Sequence, residues 1–376
     1  MSIPFIDLKT QYKKNKAEID AAIHRVLDHG QYIMGPEVHE LEDKLANYIG
    51  VKYALACSSG TDALVLPLMA KGIKPGDIVF TTPFTFFASA ESITLAGGTP
   101  VFVDINPDTY TMCPDDLEKK IVSEKSRGGN RLRAIMPIDL FGLAADYNRI
   151  NAIADKHGLF VIEDSAQAFG ANYHGNKACG LGDVAATSFY PAKPLGCYGD
   201  GGAVFTNDEE LYKKMVSIRV HGQGMSGDKY DNIRIGLNAR MDTIQAAILL
   251  EKLKDYDKEV ELRNNVATLY NEYLDASIKK PTVPTGQDCV WAQYSIQVND
   301  REKLKADLSN KGIPTAIFYP TPIHLSSAYS HLGYNVDDFP VSEAISKKII
   351  SLPMHPFLEK TEILNICDAI NHSIVN

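Results

Sequence analysis

The chain has 376 residues, 45% of them apolar, enough for one large domain and a smaller one built around buried cores. Its 38 basic and 47 acidic residues give a net charge of −9 with no basic block, which argues against a nucleic-acid partner. No apolar run approaches the ~18 residues of a membrane span, the N-terminus Met1-Ser-Ile-Pro-Phe lacks a secretory pattern, and the six scattered cysteines contain no C-x-x-C pair. A membrane anchor, a zinc site and a dense disulfide frame are therefore not expected, and the thiols fit a reduced, cytoplasmic protein.

In chain order, the first clear element is a helix over about Pro36–Tyr48. Proline opens it, Val38, Leu41, Leu45 and Tyr48 recur on one face, and Gly50 follows its end. Seven short apolar strands then alternate with helical stretches, near Tyr53–Cys57, Ile78–Thr81, Pro100–Val103, Ala134–Ile138, Leu159–Glu163, Val184–Phe189 and Ala203–Thr206. Strands that are apolar on both faces and bounded by Gly, Pro or Asp predict an α/β fold whose mainly parallel sheet is covered by helices on both sides. One crossover is explicit: Asp146 caps a helix carrying Ile150, Ile153 and Ala154, Gly158 ends it, and the next strand begins at once. Between Thr61 and Lys71 the pattern is helical but interrupted by Pro67, so a kink or early stop is expected there.

From Asp242 the pattern changes. Asp242-Thr-Ile-Gln245 is an aspartate variant of the capping box and opens a long helix to about Leu274. Beyond a Pro-rich linker at 281–286 follow a strand over Ala292–Val298, a helix over Glu302–Lys311, a strand over Thr315–Tyr319 and a last helix from about Thr361. The expected division is a large domain over 1–255 and a small α+β domain over 256–376.

The chemistry concentrates around Lys193, in Ser188-Phe-Tyr-Pro-Ala-Lys193-Pro-Leu-Gly. Pro194 pushes the lysine out of helical conformation, so its amine sits on a loop after a strand and is free to swing. A lysine with that freedom suits Schiff-base chemistry, and pyridoxal phosphate (PLP) needs such an amine, a carboxylate for its pyridine nitrogen and several donors for its phosphate. Asp164 ends a strand, and ligands of open α/β sheets bind at strand carboxyl ends. Glu163 beside it points to the opposite face, which makes the two acids a poor glycosidase pair. Gln167, three residues on, is placed to reach a ring hydroxyl. Cys57-Ser-Ser-Gly60-Thr61 is a strand, a glycine turn and a helix start, whose free N–H groups suit a phosphate, and Ser188 adds a hydroxyl. The glycines over 196–202 open no clear helix and are turn chemistry around the lysine. Phe84, Phe86 and Phe87 follow another strand end, where one ring could stack on the cofactor and the others serve as core.

Together these residues resemble the sugar aminotransferases of the DegT/DnrJ/EryC1/StrS family. The likeness runs from Phe5-Ile-Asp-Leu-Lys and Gly30-Gln-Tyr-Ile-Met-Gly-Pro-Glu, through Ser59-Gly-Thr-Asp-Ala, Glu163-Asp-Ser-Ala-Gln and the Lys193 block, to Tyr319-Pro-Thr-Pro-Ile-His324 and Ser351-Leu-Pro-Met-His-Pro. The resemblance implies a type I aminotransferase fold with a seven-stranded main sheet, and a homodimer with active sites at the subunit interface. It implies that Lys193 carries the cofactor and moves protons, Asp164 pairs with the pyridine nitrogen, Gln167 meets the ring hydroxyl, and Gly60, Thr61 and Ser188 hold the phosphate. Phe86 matches the ring-stacking aromatic, and Asn238 would reach the phosphate of the partner's cofactor.

Within the family the likeness is strongest to enzymes that aminate the 3-keto group of a UDP-linked 2-acetamido hexuronic acid with L-glutamate, for surface polysaccharide such as the O-antigen. Pyridoxamine phosphate would form during turnover. Arg240 is the candidate for a substrate anion, because a guanidinium fork matches carboxylate and phosphate; Tyr319 and His324 are further sugar-site candidates. No metal is expected. Alternatives are another 3-keto or 4-keto sugar nucleotide, or a non-catalytic regulator. A dehydratase of the same family characteristically lacks the lysine.

Overall fold

The computed structural model describes residues 3–129, 131–224 and 230–375. Its centre is a seven-stranded sheet of β1 (Tyr53–Cys57), β2 (Asp77–Thr81), β3 (Thr99–Phe102), β4 (Arg131–Ile135), β5 (Phe160–Asp164), β6 (Val184–Ser188) and β7 (Gly202–Thr206). The spatial order is β1-β7-β6-β5-β4-β2-β3. The pairs β2/β3, β2/β4, β4/β5 and β5/β6 are parallel, and β7 runs antiparallel to both of its neighbours. Six strands therefore point the same way, and the loops after Cys57, Thr81, Ile135, Asp164 and Ser188 all emerge at one edge of the sheet. All seven strands fall within a few residues of their sequence positions, because continuous apolar runs have no other way to bury both faces.

The edge strand β1 is sealed by a buried ion pair. The Ala56 N–H donates to Glu42 Oε1 at 2.9 Å, the Arg219 guanidinium donates to the Ala56 carbonyl at 2.8 Å, and Arg219 also pairs with Glu42. Glu42 comes from the helix Pro36–Ile49 and Arg219 from Glu209–Arg219, so two helices and the strand edge are locked together.

The C-terminal part builds its own core around Val266, Tyr270, Trp291, Tyr294, Leu352 and Ile366. Its strands β8 (Tyr294–Gln297) and β9 (Ile349–Leu352) pair antiparallel, flanked by the helices Arg301–Asn310, Pro340–Lys348 and Lys360–Val375.

Four sequence expectations are corrected. Thr315–Tyr319 is not a strand; hemmed between Pro314 and Pro320, it makes one bridge, Ala316 with Ser351. Ser351 belongs to β9, which the pattern did not disclose and which pairs with β8 on its other side. The long helix from Asp242 is two, Thr243–Leu253 and Tyr256–Tyr273. The first buries Ala246–Leu250 in the large core and the second buries Val266, Ala267 and Tyr270 in the small one, so one straight helix could not serve both. Asp242 holds the N-cap position but makes no side-chain cap bond, and Gln245 Oε1 instead accepts the Tyr198 N–H at 2.9 Å. The helix Gly60–Ala70 does not stop at Pro67, whose carbonyl accepts the Lys71 N–H at 2.9 Å. Residues 63–68 are all buried, and that packing outweighs the roughly 3 kcal/mol a helix-interior proline costs. Two N-terminal helices, Leu8–Lys14 and Lys16–His29, went unread.

Arg219→Ala leaves Glu42 charged and buried without its partner. Chemical denaturation should show a loss of about 3–5 kcal/mol, the usual cost of breaking such a pair from one side.

Candidate active site

Each cluster residue follows a strand that ends at the common edge. After β1, Ser59 caps the next helix by accepting the Asp62 N–H at 3.1 Å, which leaves Gly60 and Thr61 at its open N-terminus. After β6, Ser188 faces Gly60 so closely that a Cβ on Gly60 would lie 2.6 Å from the Ser188 Cβ. The two segments form a hollow bounded by helix N–H groups and a hydroxyl, a cradle for a phosphate that any side chain at position 60 would fill.

Lys193 closes a turn, its N–H donating to the Tyr190 carbonyl at 2.8 Å. Its residue surface is half-buried while the amine lies deep, and burial lowers the amine pKa to about 8 against the opposing pull of Asp164. Asp164 is buried. That burial raises its carboxyl above the usual range, opposed by the Ser89 hydroxyl, the Ala166 N–H and the charge of Lys193. Ser89 donates to Asp164 Oδ2 at 2.7 Å and Ala166 N–H to Oδ1 at 3.2 Å. Glu163 turns to the other face, as alternation requires, and accepts N–H groups of Leu181 and Gly182.

Gln167 is held at both ends. Its Oε1 accepts the Phe141 N–H at 2.7 Å and its Nε2 donates to the Tyr319 hydroxyl at 3.0 Å. One amide hydrogen remains to donate into the site. The three phenylalanines separate by burial: Phe84 is wholly buried, Phe87 packs on Tyr329, and Phe86 is 60% exposed with its ring centroid 6.4 Å from that of Tyr319.

The structure thus brings Gly60, Thr61, Asp164, Gln167, Ser188, Lys193, Phe86 and Tyr319 to one edge. Among the described residues, Asn238 and Arg240 make no hydrogen bond with Lys193 or Asp164: Arg240 Nε donates to Asn238 Oδ1 at 2.9 Å, and both line a cavity of about 340 Å³ with Ile33, Ser58 and Asp200, beside the Ser59–Gly60 turn. His324, expected at a sugar site, stands in the loop after Pro322. It is buried, 3.2 Å from Glu343 Oε1 and packed on Phe339 at 4.6 Å between centroids, so it fastens the 320–339 segment to the following helix. Sequence reasoning missed Ser89; nothing local marks a hydroxyl as the partner of an acid 75 residues away.

The cradle, the buried amine–carboxylate pair and the oriented amide fit PLP. Among the described residues no cluster of His, Cys, Asp and Glu could hold a metal, and no helix is long and apolar enough to cross a membrane.

Comparison with known proteins gives the family. Residues 13–371 match the DegT/DnrJ/EryC1/StrS aminotransferase family. The UDP-2-acetamido-2-deoxy-3-oxo-D-glucuronate aminotransferase of Pseudomonas aeruginosa is 47% identical over 98% of this chain and all of its own. A pleiotropic regulatory protein of Geobacillus stearothermophilus is 42% identical over 96% of each chain. The crystal structure of a DegT/DnrJ/EryC1/StrS aminotransferase from Brucella abortus superposes with a TM-score of 0.96 at 49% identity, covering all of both chains.

Two measurements check the site. Gly60→Ala should weaken cofactor binding by about tenfold or more, roughly 1.4 kcal/mol, in a titration of cofactor-free protein. With the Lys193 amine near pKa 8, its neutral, nucleophilic fraction rises from roughly a tenth at pH 7 to roughly nine-tenths at pH 9. Stopped-flow capture of PLP should therefore accelerate with pH through about 8 and then level off.

Proposed function

The chain belongs to the DegT/DnrJ/EryC1/StrS family and is a PLP-dependent sugar-nucleotide aminotransferase; we propose that it moves the amino group of L-glutamate to C3 of UDP-2-acetamido-2-deoxy-3-oxo-glucuronate. The observation that carries this reading is the buried Lys193–Asp164 pair at adjoining strand ends, in a chain 47% identical to an enzyme named for that substrate.

Bound through Lys193, PLP supplies an electron sink able to carry an amino group between two carbonyl carbons. The chain's residues do the rest. Lys193 Nζ, freed when substrate enters, lifts a proton from one carbon and delivers it to another, and a pKa of about 8 suits it to both acts near neutral pH. Asp164 stays ionised and holds a proton on the pyridine nitrogen. Gln167 Nε2 would donate its second hydrogen to the ring hydroxyl, and Phe86 would stack on the ring. Gly60, Thr61 and Ser188 hold the phosphate.

Asn238 and Arg240 serve the site from the second subunit of a homodimer. Arg240 occupies Asn238 Oδ1, so the Asn238 amide hydrogens are free to meet the partner's cofactor phosphate, and the Arg240 guanidinium is placed to meet the substrate's carboxylate. Exposed Tyr32, Ile33 and Phe86 supply apolar surface for the subunit contact. Residues 1–255 form the cofactor-binding domain, and the domain of 256–376 brings Tyr319 to the sugar. The setting is cytoplasmic synthesis of surface polysaccharide. A regulatory, non-catalytic role is not favoured, since a pure binder has no use for the lysine, aspartate and glutamine together.

Purified protein should be a dimer by light scattering, absorb as a PLP enzyme, and show its highest kcat/KM with the 3-keto hexuronate; a higher value with a 4-keto 6-deoxyhexose would overturn the substrate. Lys193→Ala should lower turnover by about 10⁴-fold. Arg240→Ala should raise KM for the acidic sugar by about 10–100-fold, as expected for loss of one charge-assisted pair.

A further inference from the structure

Behind Asp164 lies a second pair of acids that the reaction does not use. Asp139 and Glu163 are both fully buried, and Ser165 stands between them. The Ser165 hydroxyl makes hydrogen-bond contacts with Asp139 Oδ2 and with Glu163 Oε1, the latter at 2.8 Å. A hydroxyl has one hydrogen, so it cannot donate fully to two carboxylates; the other hydrogen in this bridge comes from an acid. The surrounding donors say which. Glu163 accepts the N–H groups of Cys179 at 2.5 Å, Leu181 at 2.8 Å and Gly182 at 3.1 Å, the environment of an anion. On Asp139, Oδ1 accepts the Ala145 N–H at 2.9 Å and the Tyr147 hydroxyl at 3.0 Å, while Oδ2 meets the Ser165 hydroxyl and no N–H group, and the two carboxyl groups also interact directly. Among the described residues neither acid has a cationic partner.

We propose that Asp139 is a positioning residue for the Asp164 carboxylate: it carries a proton on Oδ2 at neutral pH, donates through Ser165 to the Glu163 anion, and so leaves one negative charge behind Asp164 where two acids stand. Burial raises both acids; on Asp139 the charge of Glu163 adds to it and pushes the carboxyl well above the usual range, whereas on Glu163 the backbone N–H groups and the Ser165 hydroxyl oppose it. The other titratable groups facing the pair are Tyr147, Cys179 and Asp164. Burial holds the Tyr147 phenol and the Cys179 thiol protonated, so neither adds charge.

The consequence for Asp164 is geometric and electrostatic. Its carbonyl accepts the Asp139 N–H at 2.9 Å, so the neutral acid and the cofactor's carboxylate share a backbone link. A second anion here would work against keeping Asp164 ionised, and burial already works against it. The inference rests on the aminotransferase reading for its purpose but not for the proton itself.

The test is infrared spectroscopy of the full-length protein with ¹³C-aspartate, before and after cofactor is added. A carbonyl stretch of a protonated carboxyl, shifted by the label, is expected at pH 7 in both states and is expected to vanish in Asp139→Asn. Asp139→Asn keeps a donor to Ser165 and should leave the pH profile of the bound cofactor's visible absorbance unmoved. Asp139→Ala removes that donor and should displace the profile by about tenfold in proton concentration. A wild-type protein with no such band, or an Asp139→Asn profile displaced like that of Asp139→Ala, overturns the proposal. Because the band is read before cofactor is added, a protein that shows it yet takes up no PLP would refute the aminotransferase reading and leave the proton on Asp139.

Discussion

Two opposite charges that act on each other below the surface, Lys193 after β6 and Asp164 at the end of β5, are the constraint on which the site depends. Burial disfavours each charge alone: it lowers the lysine and raises the aspartate. Each relieves the other in part, and Ser89 and the Ala166 N–H add hydrogen bonds to the carboxylate. The remaining imbalance is useful. An amine that loses its proton near neutral pH can act as nucleophile and proton carrier, and a carboxylate held by two donors can serve as a fixed counter-charge.

That pair exists because the sheet delivers it. β5 and β6 are adjacent and parallel, so their last residues meet at one edge although 24 positions separate Asp164 from Ser188. The same edge receives the Ser59–Gly60 turn after β1 and the Phe84–Phe87 segment after β2. The antiparallel β7 inserts between β1 and β6 and still allows Gly60 to approach Ser188, an approach open only to a residue without a side chain. The C-terminal part enters through Tyr319, whose hydroxyl takes the Gln167 amide and ties the two cores together beside the site.

Asn238 and Arg240 pair with each other at a cavity that Ser58 also lines, and the Ser58 N–H donates to the Ala239 carbonyl at 3.1 Å, so this segment lies against the turn that opens the Gly60 helix. His324, in a motif-bearing loop, is a buried link to Glu343.

The sequence by itself determined the seven strands of the main sheet and the α/β class, and it singled out the lysine, the aspartate and the amide as candidates, because those depend on local patterns: unbroken apolar runs, a proline after the lysine, an acid at a strand end. It could not determine that Ser89 serves Asp164, that Thr315–Tyr319 makes one bridge to β9 in place of a ladder, or that the helix from Thr243 breaks at Lys254 to serve two cores. Nor could it show Asp139 and Glu163 sharing one hydroxyl. Those contacts join residues far apart in the chain, and their geometry is set by which strands lie side by side and which faces are buried. Local propensity carries no record of such neighbours; only the folded packing decides them.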